Sequence, residues 1–179
     1  KNNKIKYISK KLSVPQAWNA GMKIAYDKGY DYILICNNDI VLSDNYIDTV
    51  VEVAERRKSY ATTGKVIHKE GMEKVADVPA NPRKMEFLKQ IERSVITMEA
   101  GDYSAFLLSR ECIKKVGKFN EKFAPRYQAD EDHLLRLRFA DQPLIQTYAT
   151  TFFHVLGGVV YNIPEETAKM QVEWDRNIE

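Results

Sequence analysis

Three places in this sequence gather side chains that could do chemistry. Asn37-Asn38-Asp39 follows directly on the apolar run Tyr32-Ile33-Leu34-Ile35-Cys36. If that run is a strand of an open α/β sheet, the triplet stands at a carboxyl end, where such sheets bind ligands. Asp39 supplies a hard carboxylate oxygen, and Mg²⁺ or Mn²⁺ held by one or two carboxylates completes its shell with phosphates and water. A plain turn is the competing reading, since Asn and Asp favour turns through their own local hydrogen bonds. Asp130-Glu131-Asp132 precedes a helical apolar pattern. Acids at a helix start complement its dipole, but three in a row also repel, which can raise at least one carboxyl pKa toward the range of a general base. His154 follows Phe152-Phe153 and stands before Gly157-Gly158, a glycine pair that permits close approach of a bound group. A structural histidine at a strand end fits the same pattern.

The elements that must position these residues are readable from periodicity and caps. Residues 4–8 alternate as a strand, and Ser13-Val14-Pro15-Gln16 offers a capping box with proline in the first turn of a helix running to Gly29. The 32–36 run reads as a strand buried on both faces, the habit of parallel sheets. Ser43 or Asp44 can cap a helix with Ile47, Val50, Val51 and Ala54 on one face, ending in the charged 55–58 stretch. Residues 61–68 return as a strand, so strand and helix alternate as in a sheet with right-handed crossovers. Residues 69–84, with glycine and two prolines, form a long connection expected to behave as a mobile lid that orders when nucleotide binds. A short helix over 85–93, strands over 95–98 and 103–108, and a helix from Ser109 to Gly117 come next. Residues 130–140 are helical, 144–154 extended, and an amphipathic helix runs from Pro164 to the end.

Taken together, the segments resemble the inverting glycosyltransferase family 2. Pro15-Gln16-Ala17-Trp18-Asn19-Ala20-Gly21 is similar to its Asn-x-Gly helix, and Tyr32 through Asp39 to its strand ending in the Asp-x-Asp metal motif. Gly101-Asp102-Tyr103-Ser104-Ala105-Phe106-Leu107-Leu108-Ser109-Arg110 resembles its acceptor-side strand, and Val116 through Phe123 its G-x-F-D-E-x-F segment. Asp130-x-Asp132-x-Leu134-x-Arg136 resembles its E-D-x-D-L-x-x-R block. These stretches fall within residues 15–158 in the family's order. Asn37 stands where the metal motif has its first Asp, and Ala129 where the acidic block has Glu.

The resemblance implies a fold, a reaction and roles. The fold is α/β, a GT-A-type three-layer α/β/α sandwich around a mostly parallel, Rossmann-like sheet, with first strands expected upstream of Lys1. Residues 1–179 would be a single catalytic domain, 1–95 binding the donor nucleotide and metal, and 96–179 the acceptor and the terminal helix. Asp39 and His154 would meet Mn²⁺ or Mg²⁺. Asn19, Gly21, Asn37, Asn38, Gly101 and Asp102 would line the donor. Asp130 would be the general base, with Asp132 as its alternate. The donor would be a UDP-, GDP- or dTDP-sugar and the acceptor a glycan or other hydroxyl, in polysaccharide biosynthesis. A nucleotidyltransferase and a noncatalytic sugar-nucleotide or glycan-binding module of the same fold are the alternatives.

Bulk composition is compatible with one domain of this kind. The chain has 179 residues, enough to bury a core, and 27 basic against 25 acidic residues, a balance that does not suggest a nucleic-acid partner. No apolar run reaches the ~18 residues of a membrane span. Cys36 and Cys112 sit singly in apolar segments, as small buried hydrophobes of a reducing, cytoplasmic setting, with any membrane attachment left to parts beyond this chain.

Overall fold

In the computed structural model, residues 10–67, 95–98, 103–124 and 128–154 are described, with Lys169, Val172 and Arg176, each helical. The strand expected over 4–8, the 69–84 connection, the 85–93 helix, Gly101, Asp102, Gly157, Gly158 and most of the terminal helix lie outside the described residues. The helices start and stop where capping chemistry directs. Helix α1 (Val14–Asp27) begins after Ser13, whose N–H donates to Gln16 Oε1 at 3.1 Å, and the chain leaves it through Gly29 at φ +78°. Helix α2 (Tyr46–Arg57) is preceded by Asn45 rather than by Ser43 or Asp44. Helix α3 (Arg110–Lys115) is capped by Ser109 Oγ, which accepts from the Cys112 N–H, and is followed by Gly117 at φ +88°. Helix α4 spans Ala129–Phe139.

Among the described residues six strands make one sheet: β1 (Tyr32–Cys36), β2 (Ile40–Leu42), β3 (Ala61–Ile67), β4 (Val95–Met98), β5 (Ala105–Ser109) and β6 (Leu144–His154). The order is β1-β5-β3-β6-β2, with β4 also on β6. Among the described residues only β3 and β6 run parallel, and the other pairings are antiparallel. The expected mostly parallel, Rossmann-like sandwich is therefore corrected to a mixed, mostly antiparallel sheet nearly closed into a barrel. Strand β1 is also not buried on both faces. Ile33 and Ile35 are buried, Tyr32 and Leu34 half-buried and Cys36 exposed, the alternation of an edge strand.

Chain length explains the closure. Strands β1 and β2 occupy opposite ends of the order, four strand spacings apart, or ~19 Å across a flat sheet. Only residues 37–39 join them, and four Cα steps reach at most ~14 Å. The sheet has to curl until its edges meet.

Long strand β6 makes the curl possible by changing neighbours midway. Its first part pairs with β4 and its last three residues with β2. Between them the register against β3 jumps, from Gly64 opposite Thr147 to Lys65 opposite Thr151. A buried network holds this bulge: Ser43 Oγ lies 2.8 Å from Thr150 Oγ1, Thr150 Oγ1 donates to Asn45 Oδ1 at 3.0 Å, and Asn45 Nδ2 donates to the Ala149 carbonyl. Tyr46 fastens α2 to the sheet by donating to the Ala105 carbonyl at 2.7 Å and accepting from the Gly64 N–H at 3.1 Å. Glycine is required there, because a Cβ would stand 2.6 Å from Tyr46 Cε2.

Apolar side chains fill both faces of β5. Ala105 and Leu107 pack with Tyr46, Val50 and Phe152, while Phe106 and Leu108 join Met22, Ile33, Ile35, Leu134 and Leu137. Strands from residues 1–95 and 96–179 alternate along the order of this one sheet. Among the described residues no helix is long and apolar enough to cross a membrane.

Candidate functional site

The curl brings two ladder ends to one point. Cys36 pairs with Ala105, so the next residue, Asn37, stands opposite Ser104 and donates its N–H to the Ser104 carbonyl at 2.7 Å. Ile40 pairs with His154, so the residue before it, Asp39, reaches the same histidine. Asp39 Oδ1 lies 3.5 Å from His154 Nε2. Ser104 Oγ is 3.0 Å from His154 Nδ1 and 3.2 Å from Nε2, and accepts from Asn37 Nδ2 at 3.3 Å. Ser104 and His154 are buried, Asn37 and Asp39 half-buried and Asn38 exposed. Two predicted residues, Asp39 and His154, thus come together from positions 115 apart, with Asn37 beside them.

This pair is a fitting partial shell for Mg²⁺ or Mn²⁺. Two adjacent ligands of an octahedral ion with bonds of ~2.1 Å stand ~3 Å apart, close to the separation seen. Among the described residues no group of three or more His, Cys, Asp or Glu side chains converges. Phosphate and water oxygens would have to complete such a shell.

The remaining expected residues divide. Asn19, on the buried face of α1, is fully engaged with the chain: Nδ2 donates to the Phe119 carbonyl and to Glu121 Oε1, while Oδ1 accepts from the Phe119 N–H. It ties α1 to residues 119–121 and does not approach Asn37 through any of these bonds. Gly21 lines a cleft of about 520 Å³ between α1 and the outer edge of β1 that runs to Cys36 and Asn37. Its missing side chain leaves that space open, with no atom within 4 Å of where a Cβ would stand.

Asp130 lies half-buried at the start of α4. Asp132 Oδ2 accepts from Arg136 Nε at 3.0 Å and Nη2 at 2.7 Å, and the same guanidinium donates to the Val116 and Lys118 carbonyls. Asp132 thereby locks the loop before residues 119–121 onto α4. Burial first, and the Asp130 charge second, raise the Glu131 carboxyl. Beside these acids a cleft of about 370 Å³ opens between Phe123, Glu131, Leu135 and Arg138.

Helix α4 connects to the Asp39–His154 pair through residues that sequence reasoning passed over. Tyr103 and Ser104 are neighbours in the chain. Tyr103 Oη lies 3.4 Å from His133 Nδ1 of α4, while Ser104 holds His154. No local pattern marks Ser104, because its importance arises only from the β1–β5 register. His133 is fully buried and stacked on Phe119 with centroids 4.4 Å apart. Burial, with repulsion from Arg136, pushes its imidazole down to about 3.

That shift predicts an acid-sensitive fold. Unfolded, His133 binds a proton near its ordinary value of about 6.5; folded, it resists until about 3. The unfolded state therefore binds more protons in this window, and stability falls as pH drops from 6.5 toward 3, by roughly 1.4 kcal/mol per unit for one such group. Chemical denaturation of wild type and His133→Gln at pH 7 and pH 4.5 checks this. The variant's deficit is expected to shrink at the lower pH, and an unchanged deficit would contradict the burial of a neutral ring.

No protein-family model matches the chain, and no characterised protein matches it at a significant level.

Proposed function

We propose that the chain is a divalent-metal-dependent glycosyltransferase that moves a sugar from a nucleoside diphosphate sugar to an acceptor hydroxyl. The observation that carries this reading is the meeting of Asp39 and His154, 3.5 Å apart, at the end of the sheet where β1, β3 and β6 finish. Two protein ligands, one a carboxylate, suit a cation whose shell is completed by a diphosphate. The motif order across residues 15–158, similar to glycosyltransferase family 2, supports the same reaction.

A divalent ion at Asp39 would supply Lewis-acid stabilisation of the charge that develops on the leaving diphosphate. Asp39 would hold and orient the ion, and His154, 3.5 Å from Asp39, would be available to the ion or to a phosphate oxygen. Gly21 and Asn37 share the cleft along β1, where we place the donor. In the transfer, the bond between the anomeric carbon and the diphosphate oxygen breaks as one to the acceptor oxygen forms. The acceptor's proton passes to the Asp130 carboxylate, and the electron pair departs with the nucleoside diphosphate. Displacement from the face opposite the leaving group inverts the anomeric carbon. The acceptor, a glycan or another hydroxyl compound, would enter from the α4 side. The free thiols of Cys36 and Cys112 agree with a cytoplasmic setting.

A thermal-shift panel of UDP-, GDP- and dTDP-sugars, each with and without Mn²⁺, tests the binding half of this proposal. One donor at a hundred times its Kd should stabilise the protein by about 2.7 kcal/mol, and only with metal present. Stabilisation by no member of the panel would remove the reading.

A further inference from the structure

We infer that the cleft of about 370 Å³ beside α4 is a saccharide subsite, where Glu131 and Arg138 hold the hydroxyls of a neutral sugar over Leu135, and that the acceptor is an oligosaccharide of at least two sugars. Its role as an acceptor subsite rests on the transfer reading above, while its fit to a neutral sugar rests on the cleft itself.

Helical spacing builds the lining. Glu131, Leu134, Leu135 and Arg138 stand at i, i+3, i+4 and i+7, which is one face of α4, and Phe123 and Gln128 complete the cleft. Glu131 and Arg138 are exposed, and Leu135 between them is 48% exposed. Seven residues of helix put the two charged positions ~10.5 Å apart along the axis. Among the described residues neither charged side chain has a hydrogen-bond or ion-pair partner.

This arrangement matches the two-sided chemistry of a sugar ring. A carboxylate accepts and a guanidinium donates, so a ligand that bridges them must offer both a donor and an acceptor, as hydroxyls do. A ring with a hydrogen bond of ~2.8 Å at either end suits the gap, and its C–H face covers the apolar surface that Leu135 leaves in water. The Gln128 amide offers a further donor and acceptor to hydroxyls. Charge narrows the class. Asp130 and Asp132 flank Glu131 at the start of α4, and the Arg136 charge is taken by Asp132. A phosphate or carboxylate on the ligand would meet that acidic end at close range, and a neutral sugar would not.

The position of the base sets the length of the acceptor. Glu131 and Asp132 line the cleft, and among the described residues Asp130 does not. A sugar seated against Glu131 therefore lies beside the proposed base, which leaves its neighbour in the same chain to present a hydroxyl to Asp130. Binding energy from such a remote sugar serves the reacting centre, so an acceptor that lacks it should lose rate as well as affinity.

Titration of ¹⁵N-labelled protein with cellobiose, maltose, lactose and melibiose, without donor or metal, tests the subsite by NMR. At least one disaccharide should shift the backbone signals of residues 128–138 and the Arg138 side-chain N–H, and should bind about tenfold or more tighter than either of its monosaccharides. Arg138→Ala and Glu131→Ala, both at exposed positions, should each weaken it about tenfold or more. Glu131→Gln, which keeps an acceptor oxygen, should weaken it less, and the uronate form of the same disaccharide should bind wild type more weakly. No binding by any of the four, binding that Arg138→Ala and Glu131→Ala leave unchanged, monosaccharides bound as tightly, or a preferred uronate overturns the inference. Neither donor nor metal is present, so the result is independent of the thermal-shift panel. A disaccharide bound as described by a protein that no nucleotide sugar stabilises overturns the transfer reading and upholds the saccharide site.

Discussion

Replacing Asp130 with asparagine is expected to lower sugar transfer by ~10² to 10⁴ while donor and metal bind nearly as before. Asparagine keeps the size and hydrogen-bonding reach of the side chain and removes only its capacity to take a proton. If Asp130 serves merely as an acid at the start of α4, the same change should cost roughly 0.3 to 1 kcal/mol of stability and leave turnover of the folded protein intact. Asp132→Asn is the informative control. Its carboxylate holds Arg136, which holds the Val116 and Lys118 carbonyls, so its loss should loosen the loop and lower stability. A large fall in transfer by Asp132→Asn without loss of stability, and none by Asp130→Asn, would move the base to Asp132. Rates measured beside denaturation curves for both variants separate these outcomes.

Asp39→Ala carries the second large effect. Asp39 supplies the carboxylate of the proposed cation site, from a half-buried position in the three-residue bridge between β1 and β2. Without it, stabilisation of the leaving diphosphate should fall by several kcal/mol, or ~10²-fold or more in rate. Folding should be little affected, since the ladders on either side of the bridge, Cys36 with Ala105 and Ile40 with His154, do not use the Asp39 side chain. Normal stability together with lost metal dependence is the signature expected of a ligand.

Much of the local structure was legible because capping residues and glycines act locally. Ser13 with Gln16, and Ser109 with Gly117, mark helix limits that the fold respects. Strand direction was not legible. The run Ala105–Ser109 is buried almost throughout, and a buried apolar run reads the same whether its neighbours are parallel or antiparallel. Inserting β5 between β1 and β3 turned the expected parallel sheet into a mixed one. At the site, Asp39 and His154 were legible as polar residues ending apolar strands. Ser104 was not, because nothing in its neighbours foretells that Asn37 will stand opposite. Asn19 is expected from the resemblance to line the donor, and its amide binds the Phe119 backbone, a contact 100 residues away that no local pattern announces.

The most direct measurement of the central claim is consumption of nucleotide sugars, followed by NMR with the wild-type chain and Asp39→Ala, in Mn²⁺ and in EDTA, with simple glycan acceptors. The account predicts that wild type with Mn²⁺ releases a nucleoside diphosphate from one donor and forms a product of inverted anomeric configuration. EDTA and Asp39→Ala should each suppress it by ~10²-fold or more. Release of a nucleoside monophosphate, transfer that continues undiminished in Asp39→Ala, or no turnover of any donor that the wild-type protein binds would contradict it.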